Sequence, residues 1–97
     1  LAEYPDLDGI MANDRCASSF LKTARELNRK VPQQLKIIAY DGTYITDFNY
    51  RTIASIRQDV ALIAREAVQV LVKLINGQPL GNEAVYVPVS YKDGDTI

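Results

Sequence analysis

Histidine is absent from the 97 residues, and cysteine occurs once, as Cys16. Without histidine no Ser-His or Cys-His pair can form within the chain. One cysteine with no histidine leaves no zinc site of the usual kind. A single thiol cannot close an internal disulfide, so nothing asks for an oxidising compartment, and a cytoplasmic protein is expected. A basic excess is missing too. Lys and Arg number 11 against 12 Asp and Glu, for a formal net charge of −1. A chain that grips nucleic-acid phosphates carries a clear basic excess, so this one is not expected to read DNA itself. No apolar run approaches the roughly 18 residues of a membrane span. The opening residues do not read as a signal peptide, and neither G-x-x-x-x-G-K-S/T nor G-x-G-x-x-G occurs. Catalytic residues, metal ligands and cofactors are therefore not expected, and the chain is not expected to be an enzyme. An initiating methionine is also missing. Leu1-Ala-Glu-Tyr-Pro-Asp6 reads as the last turn of a helix meeting a proline stop, which leads us to expect more polypeptide upstream.

What is present is enough for a core, since 47% of the residues are hydrophobic. Residues 8–12 form a short apolar run and read as a buried strand. Asn13 and Asp14 can each cap the helix that follows. Cys16, Ala17, Phe20, Leu21, Ala24 and Leu27 fall on one face of a helix of period 3.6, closed by Val31-Pro32. The opposite face carries Lys22, Arg25, Arg29 and Lys30 and reads as a solvated surface. Lys36-Ile-Ile-Ala-Tyr40 reads as a central parallel strand. A loop with Tyr44, Phe48 and Tyr50 follows, and Thr52–Ile56 is a third strand. Asp59 caps a long helix that Asn76-Gly77 and Pro79 stop. Ala84–Ser90 reads as a last strand, placed on an edge or at a bulge by Pro88. Tyr91–Ile97 reads as a polar tail. Strands and helices in this alternation predict an α/β fold, three-layered, with a mainly parallel sheet and flanking helices.

In open α/β sheets ligands bind outside the carboxyl ends of the strands. Those ends here carry Asn13-Asp14, Tyr40-Asp41 and Arg57-Gln58-Asp59. Carboxylates and amides grouped in this way suit a polyhydroxylated ligand, because hydroxyls donate to both and accept from the amide. Each residue also has a plainer reading. Asn13, Asp14 and Asp59 can be caps, with the cap favoured for Asp59, and Asp41-Gly42 can be an ordinary turn. The three loop aromatics would be costly to leave wet. They either pack back on the domain or meet a partner subunit.

Taken in order, Asp8-Gly-Ile-Met-Ala-Asn-Asp14, Val31-Pro32, Lys36-Ile-Ile-Ala-Tyr-Asp41, Thr52-Ile-Ala-Ser-Ile-Arg-Gln-Asp59 and Asn76-Gly-Gln-Pro79 resemble the end of the effector-binding core of the LacI/GalR regulators. The resemblance covers essentially the whole chain. It implies that residues 1–97 are the C-terminal lobe of a two-lobed, periplasmic-binding-protein-like type I fold, without the N-terminal lobe or the DNA-binding head. It implies effector contacts from Asn13, Asp41 and Gln58. It also implies a homodimer interface through Ala17, Ser18, Leu21, Tyr44 and Phe48. The implied function is a transcriptional regulator, a repressor responsive to a sugar, sugar phosphate or similar small molecule. It would act on operator DNA through the absent N-terminal domain, with no membrane association. The alternative is a secreted sugar-binding protein of the same fold serving transport or chemotaxis. Many family members have glycine where Ala39 stands and an acidic residue where Gly42 stands. The second departure removes a possible polar contact to the effector.

Overall fold

The computed structural model describes residues 1–81 and 84–97. The elements run β1 (Gly9–Asn13), α1 (Asp14–Glu26), β2 (Lys36–Asp41), a 3-10 turn (Tyr44–Thr46), β3 (Ala54–Gln58), α2 (Val60–Ile75) and β4 (Val89–Lys92). The strands form one sheet in the order β1-β2-β3-β4. The pairs β1–β2 and β2–β3 are parallel, in registers that set Asn13 beside Tyr40 and Asp41 beside Arg57. The α/β class and the central place of β2 follow the sequence. The chain groups into two compact units, one of residues 1–57 with 90–97 and the other of residues 58–89.

In the first unit α1 buries Ala17, Leu21 and Ala24, one stripe at helical spacing. That stripe meets Val31, Leu35, Ile37, Ala39 and Ile53 to form the core, with Leu1, Ile10, Ala12 and Phe20 packed against it. Leu21, Leu35, Ile37 and Ile53 are among its largest fully buried side chains. Burial of side chains of this size contributes about 1.5–3 kcal/mol each.

β1, expected as a buried strand, is an edge strand with no buried residue, and the third strand, expected over Thr52–Ile56, runs Ala54–Gln58. Three further local expectations change. The first helix stops at Glu26, not at Val31, because Asn28 turns left-handed with φ 56. Asn28 N–H then donates to Arg25 O at 3.1 Å and Arg29 N–H to Ala24 O at 2.8 Å. This paired pattern satisfies the last helical carbonyls. Asn28→Ala is expected to lower stability by about 1 kcal/mol, since alanine tolerates the left-handed region less well, while Asn28→Gly holds or raises it. Urea midpoints of the two variants check this. Second, Leu1–Asp6 is not helical; it leads into a turn in which Leu7 N–H donates to Tyr4 O at 3.2 Å.

The third change concerns the C-terminus. The last strand was expected over Ala84–Ser90 but runs Val89–Lys92, starting after Pro88, which has no N–H for a ladder. Pro88 does precede an edge strand, as expected. The expected polar tail is a structural clasp. Thr96 is fully buried. Its hydroxyl donates to Ile37 O at 2.6 Å and accepts from Ala54 N–H at 3.0 Å. Its carbonyl accepts from Ile37 N–H at 2.9 Å, and Asp95 N–H donates to Thr52 O at 2.7 Å. Lys92 anchors the same stretch to Asp47 at 2.6 Å.

The second unit is built on α2. Asp59 caps it, accepting from Leu62 N–H at 3.0 Å, so the cap reading of Asp59 holds. Gly77, at φ 67, ends it: Gly77 N–H donates to Leu74 O at 3.2 Å and Gln78 N–H to Lys73 O at 2.9 Å. None of the residues of α2 is buried. The expected strand residues 84–88 are irregular, and Asn82 and Glu83 lie outside the described residues.

Candidate functional site

β1 and β2 are neighbouring parallel strands, so their last residues, Asn13 and Asp41, come out at the same edge of the sheet. They line one cavity of about 380 Å³ together with Asp14, Arg15, Cys16, Thr43 and Ile45. Ligand position at the carboxyl ends of parallel strands is the general rule for such sheets.

Asn13 serves as the N-cap of α1 and also lines the cavity. Its Oδ1 accepts from Cys16 N–H at 2.9 Å, which closes the first turn of α1. Its Nδ2 makes no hydrogen bond among the described residues, which leaves two donors for a ligand.

Asp14 is the residue whose part the sequence did not disclose. It is not the cap of α1. It is the first helical residue, 3% exposed. Its Oδ1 accepts from Gly42 N–H at 3.2 Å and its Oδ2 from Thr43 N–H at 2.6 Å and from the Thr43 hydroxyl. One buried carboxylate thus ties the loop after β2 to the start of α1. That tie fixes Asp41 relative to Asn13.

Asp41 itself sits at φ 122, a region that L-residues rarely occupy. Backbone strain of this kind costs on the order of 1–3 kcal/mol and persists where the surroundings over-determine it. The strand before Asp41 and the Asp14 tie after it do so here. Gly42 follows at φ 71, and a Cβ there would lie 2.7 Å from Arg57 Cα. Glycine is therefore required by geometry at this position.

Gln58 is the last residue of β3 and the first of the second unit. Arg15, Cys16, Thr43 and Ile45 were not anticipated as cavity residues. Arg15 and Cys16 could have been found as the helical turn that follows Asn13, and Thr43 as the neighbour of the Asp41-Gly42 turn. Among the described residues no cluster of three or more metal-ligating side chains occurs, and no helix is long and apolar enough to cross a membrane.

The residues expected at a dimer interface divide. Ala17 and Leu21 are 0% and 1% exposed and belong to the protein's own core. They have no surface to give a second copy, so the expectation for these two is corrected. Tyr44 and Phe48 are 71% and 80% exposed, with ring centroids 6.0 Å apart in an edge-to-face arrangement. Ser18 is half-buried and donates to Asn49 Oδ1 at 2.5 Å, which joins α1 to the aromatic loop. Tyr50 lies under the Arg25 guanidinium, 4.9 Å from the ring centroid.

Comparison with known proteins places this geometry in a family. Residues 2–97 match the periplasmic binding protein-like domain. Over 91 residues the chain is 36% identical to the sucrose operon repressor of Streptococcus mutans and 33% identical to the ribose operon repressor of Bacillus subtilis. Each match covers 93% of this chain and 28% of the relative, so the chain spans less than a third of the length of these proteins. A solved periplasmic binding protein/LacI transcriptional regulator from Alkaliphilus metalliredigens, complexed with D-xylulofuranose, superposes with a TM-score of 0.88 at 25% identity. That match covers 98% of this chain and 36% of the solved one. The chain belongs to the periplasmic binding protein-like domain family.

Proposed function

We propose that this chain is the effector-reading part of a sugar-responsive transcriptional repressor. The observation that carries the reading is the cavity that joins Asn13 and Asp41 at the carboxyl ends of adjacent parallel strands. An exposed amide and a carboxylate carried on strained backbone there can hold neighbouring hydroxyls of one ring. Gln58, at the end of the next strand, is proposed as a third contact. The relatives named as sucrose and ribose operon repressors, and the neighbour solved with D-xylulofuranose, support a sugar as effector. They also favour a regulator over a transport protein of the same fold and over an enzyme. A repressor works on DNA in the cytoplasm, through a DNA-binding head. Effector binding would favour one placement of the lobes and so bias the heads. Such a shift requires different affinities for the two placements.

The exposed pair Tyr44 and Phe48, with Ser18 beside them, is proposed as part of a homodimer contact, since aromatics are enriched at interfaces. Residues 1–97 are proposed as one wall of the cleft. A ligand gains most of its burial from both walls, so the reading concerns the intact protein.

Asp41→Asn in the intact protein tests the reading. The substitution removes charge-assisted hydrogen bonds of about 1.5–3 kcal/mol, a loss of about 10- to 150-fold in effector affinity. Operator affinity without effector should stay unchanged. A sugar titration followed by calorimetry, with operator binding measured in parallel, separates the two. Unchanged sugar affinity in the variant would refute the assignment.

A further inference from the structure

The basic residues beyond the middle of α1 have no part in the effector site. Arg25 and Lys30 are exposed, as expected of a solvated face, and Arg29 is half-buried beside them. With Arg51 they converge on a cleft of about 620 Å³. Tyr50 and Gln33 share its lining, and no carboxylate among the described residues does. The cleft lies at the C-terminal end of α1, whereas the effector cavity lies at its N-terminal end. The helix has 13 residues, so the two are roughly 20 Å apart at 1.5 Å per residue.

A helix C-terminus favours nearby cations, which accounts for Arg25. It does not account for Arg51, which comes from the loop before β3. The cations are also held without neutralisation. Arg25 stacks on Tyr50 at 4.9 Å. Arg29 donates from Nη2 to Leu7 O, and its Nη1 is buried without a partner among the described residues. The side chains of Lys30 and Arg51 make no hydrogen bond or ion pair among the described residues. Glu26, the acidic residue that ends α1, faces Lys22 at 4.0 Å. In a chain of net charge −1, four cations around one concavity form a local positive field. A dianion would relieve their mutual repulsion, and arginine forks match phosphate oxygens.

We propose that this cleft binds a phosphate group carried by a small metabolite, with Lys30 and Arg51 as the principal ligands, Arg25 beside them, and the Tyr50 ring and Gln33 amide available to the rest of the molecule. The site is independent of the effector reading. The test is a calorimetric titration of the intact protein, at constant ionic strength, with glucose 6-phosphate, inorganic phosphate and glucose. Saturable binding of glucose 6-phosphate is expected, weakened at least about tenfold in the Lys30→Gln/Arg51→Gln double variant. Arg51→Lys should retain part of it. Glucose 6-phosphate binding more tightly than inorganic phosphate identifies an ester ligand. Equal affinities identify free phosphate as the occupant and overturn the metabolite as carrier. Asp41→Asn must leave phosphate binding unchanged, which separates this cleft from the effector cavity. The double-variant residues are exposed, and an unchanged urea midpoint confirms the fold. Non-saturating heats, or equal affinities for the double variant and the wild type, would overturn the site.

Discussion

Asp14→Ala is expected to destabilise the protein by about 4 kcal/mol and to remove effector binding with it. The carboxylate is 3% exposed and accepts from Gly42 N–H, Thr43 N–H and the Thr43 hydroxyl. Alanine strands two backbone donors in a region closed to water, at about 1–3 kcal/mol each, and leaves a gap beside them. Asp41 then loses the restraint that holds it at φ 122. Asp14→Asn keeps one acceptor oxygen and should lose roughly half as much, because hydrogen bonds to a charged group exceed neutral ones by about twofold. Urea unfolding of the two variants should therefore order them wild type, Asn, Ala. Sugar affinity should fall even for the asparagine variant under conditions where it is fully folded. An asparagine variant with reduced stability but unaltered affinity would show that the tie matters to the fold alone.

Gly94→Ala is expected to cost about 3 kcal/mol or more while sparing the effector site. A Cβ at Gly94 would lie 2.4 Å from Ala54 N and 2.7 Å from Thr52 O, and both are backbone atoms with no rotamer to move. Overpacking of this kind forces a backbone shift. The shift falls on the hydrogen bonds that Asp95 and Thr96 make to Thr52, Ala54 and Ile37. Thr96→Val attacks the same clasp differently, leaving Ile37 O and Ala54 N–H without their hydroxyl partner, for a loss of about 3 kcal/mol. Ile37 is near the start of β2 and Asp41 at its end, so the clasp and the cavity sit at opposite edges of the sheet. Both variants should show lowered urea midpoints, with sugar affinity close to wild type at temperatures where they remain folded. A wild-type midpoint for Gly94→Ala would mean that the C-terminal segment does not pack as described.

The contrast between these two places shows what could be read in the sequence. β1, β2, α1 and α2 were legible because apolar spacing and caps are local signals. Asn13 and Asp41 were legible because strand ends in a parallel sheet share an edge. The clasp was not, because the burial of Thr96 depends on partners 42 and 59 positions away, and a polar residue gives no periodic signal for that. The end of α1 was overrun because Leu27 continues the apolar stripe, while the stop lies in the backbone of Asn28. Ala17 and Leu21 were assigned to an interface although an apolar helix stripe packs first on its own sheet. The part played by Asp14 also escaped, since a carboxylate after a strand reads equally well as cap, ligand or internal tie until the loop it holds is seen.

The most direct test is a structure of the intact protein with the sugar that releases it from its operator. Hydroxyls of that sugar are expected within hydrogen-bond distance of Asp41 and of the Asn13 amide, at the carboxyl ends of β2 and β1. A sugar bound with neither residue in contact, or operator release with this cavity empty, would contradict the assignment.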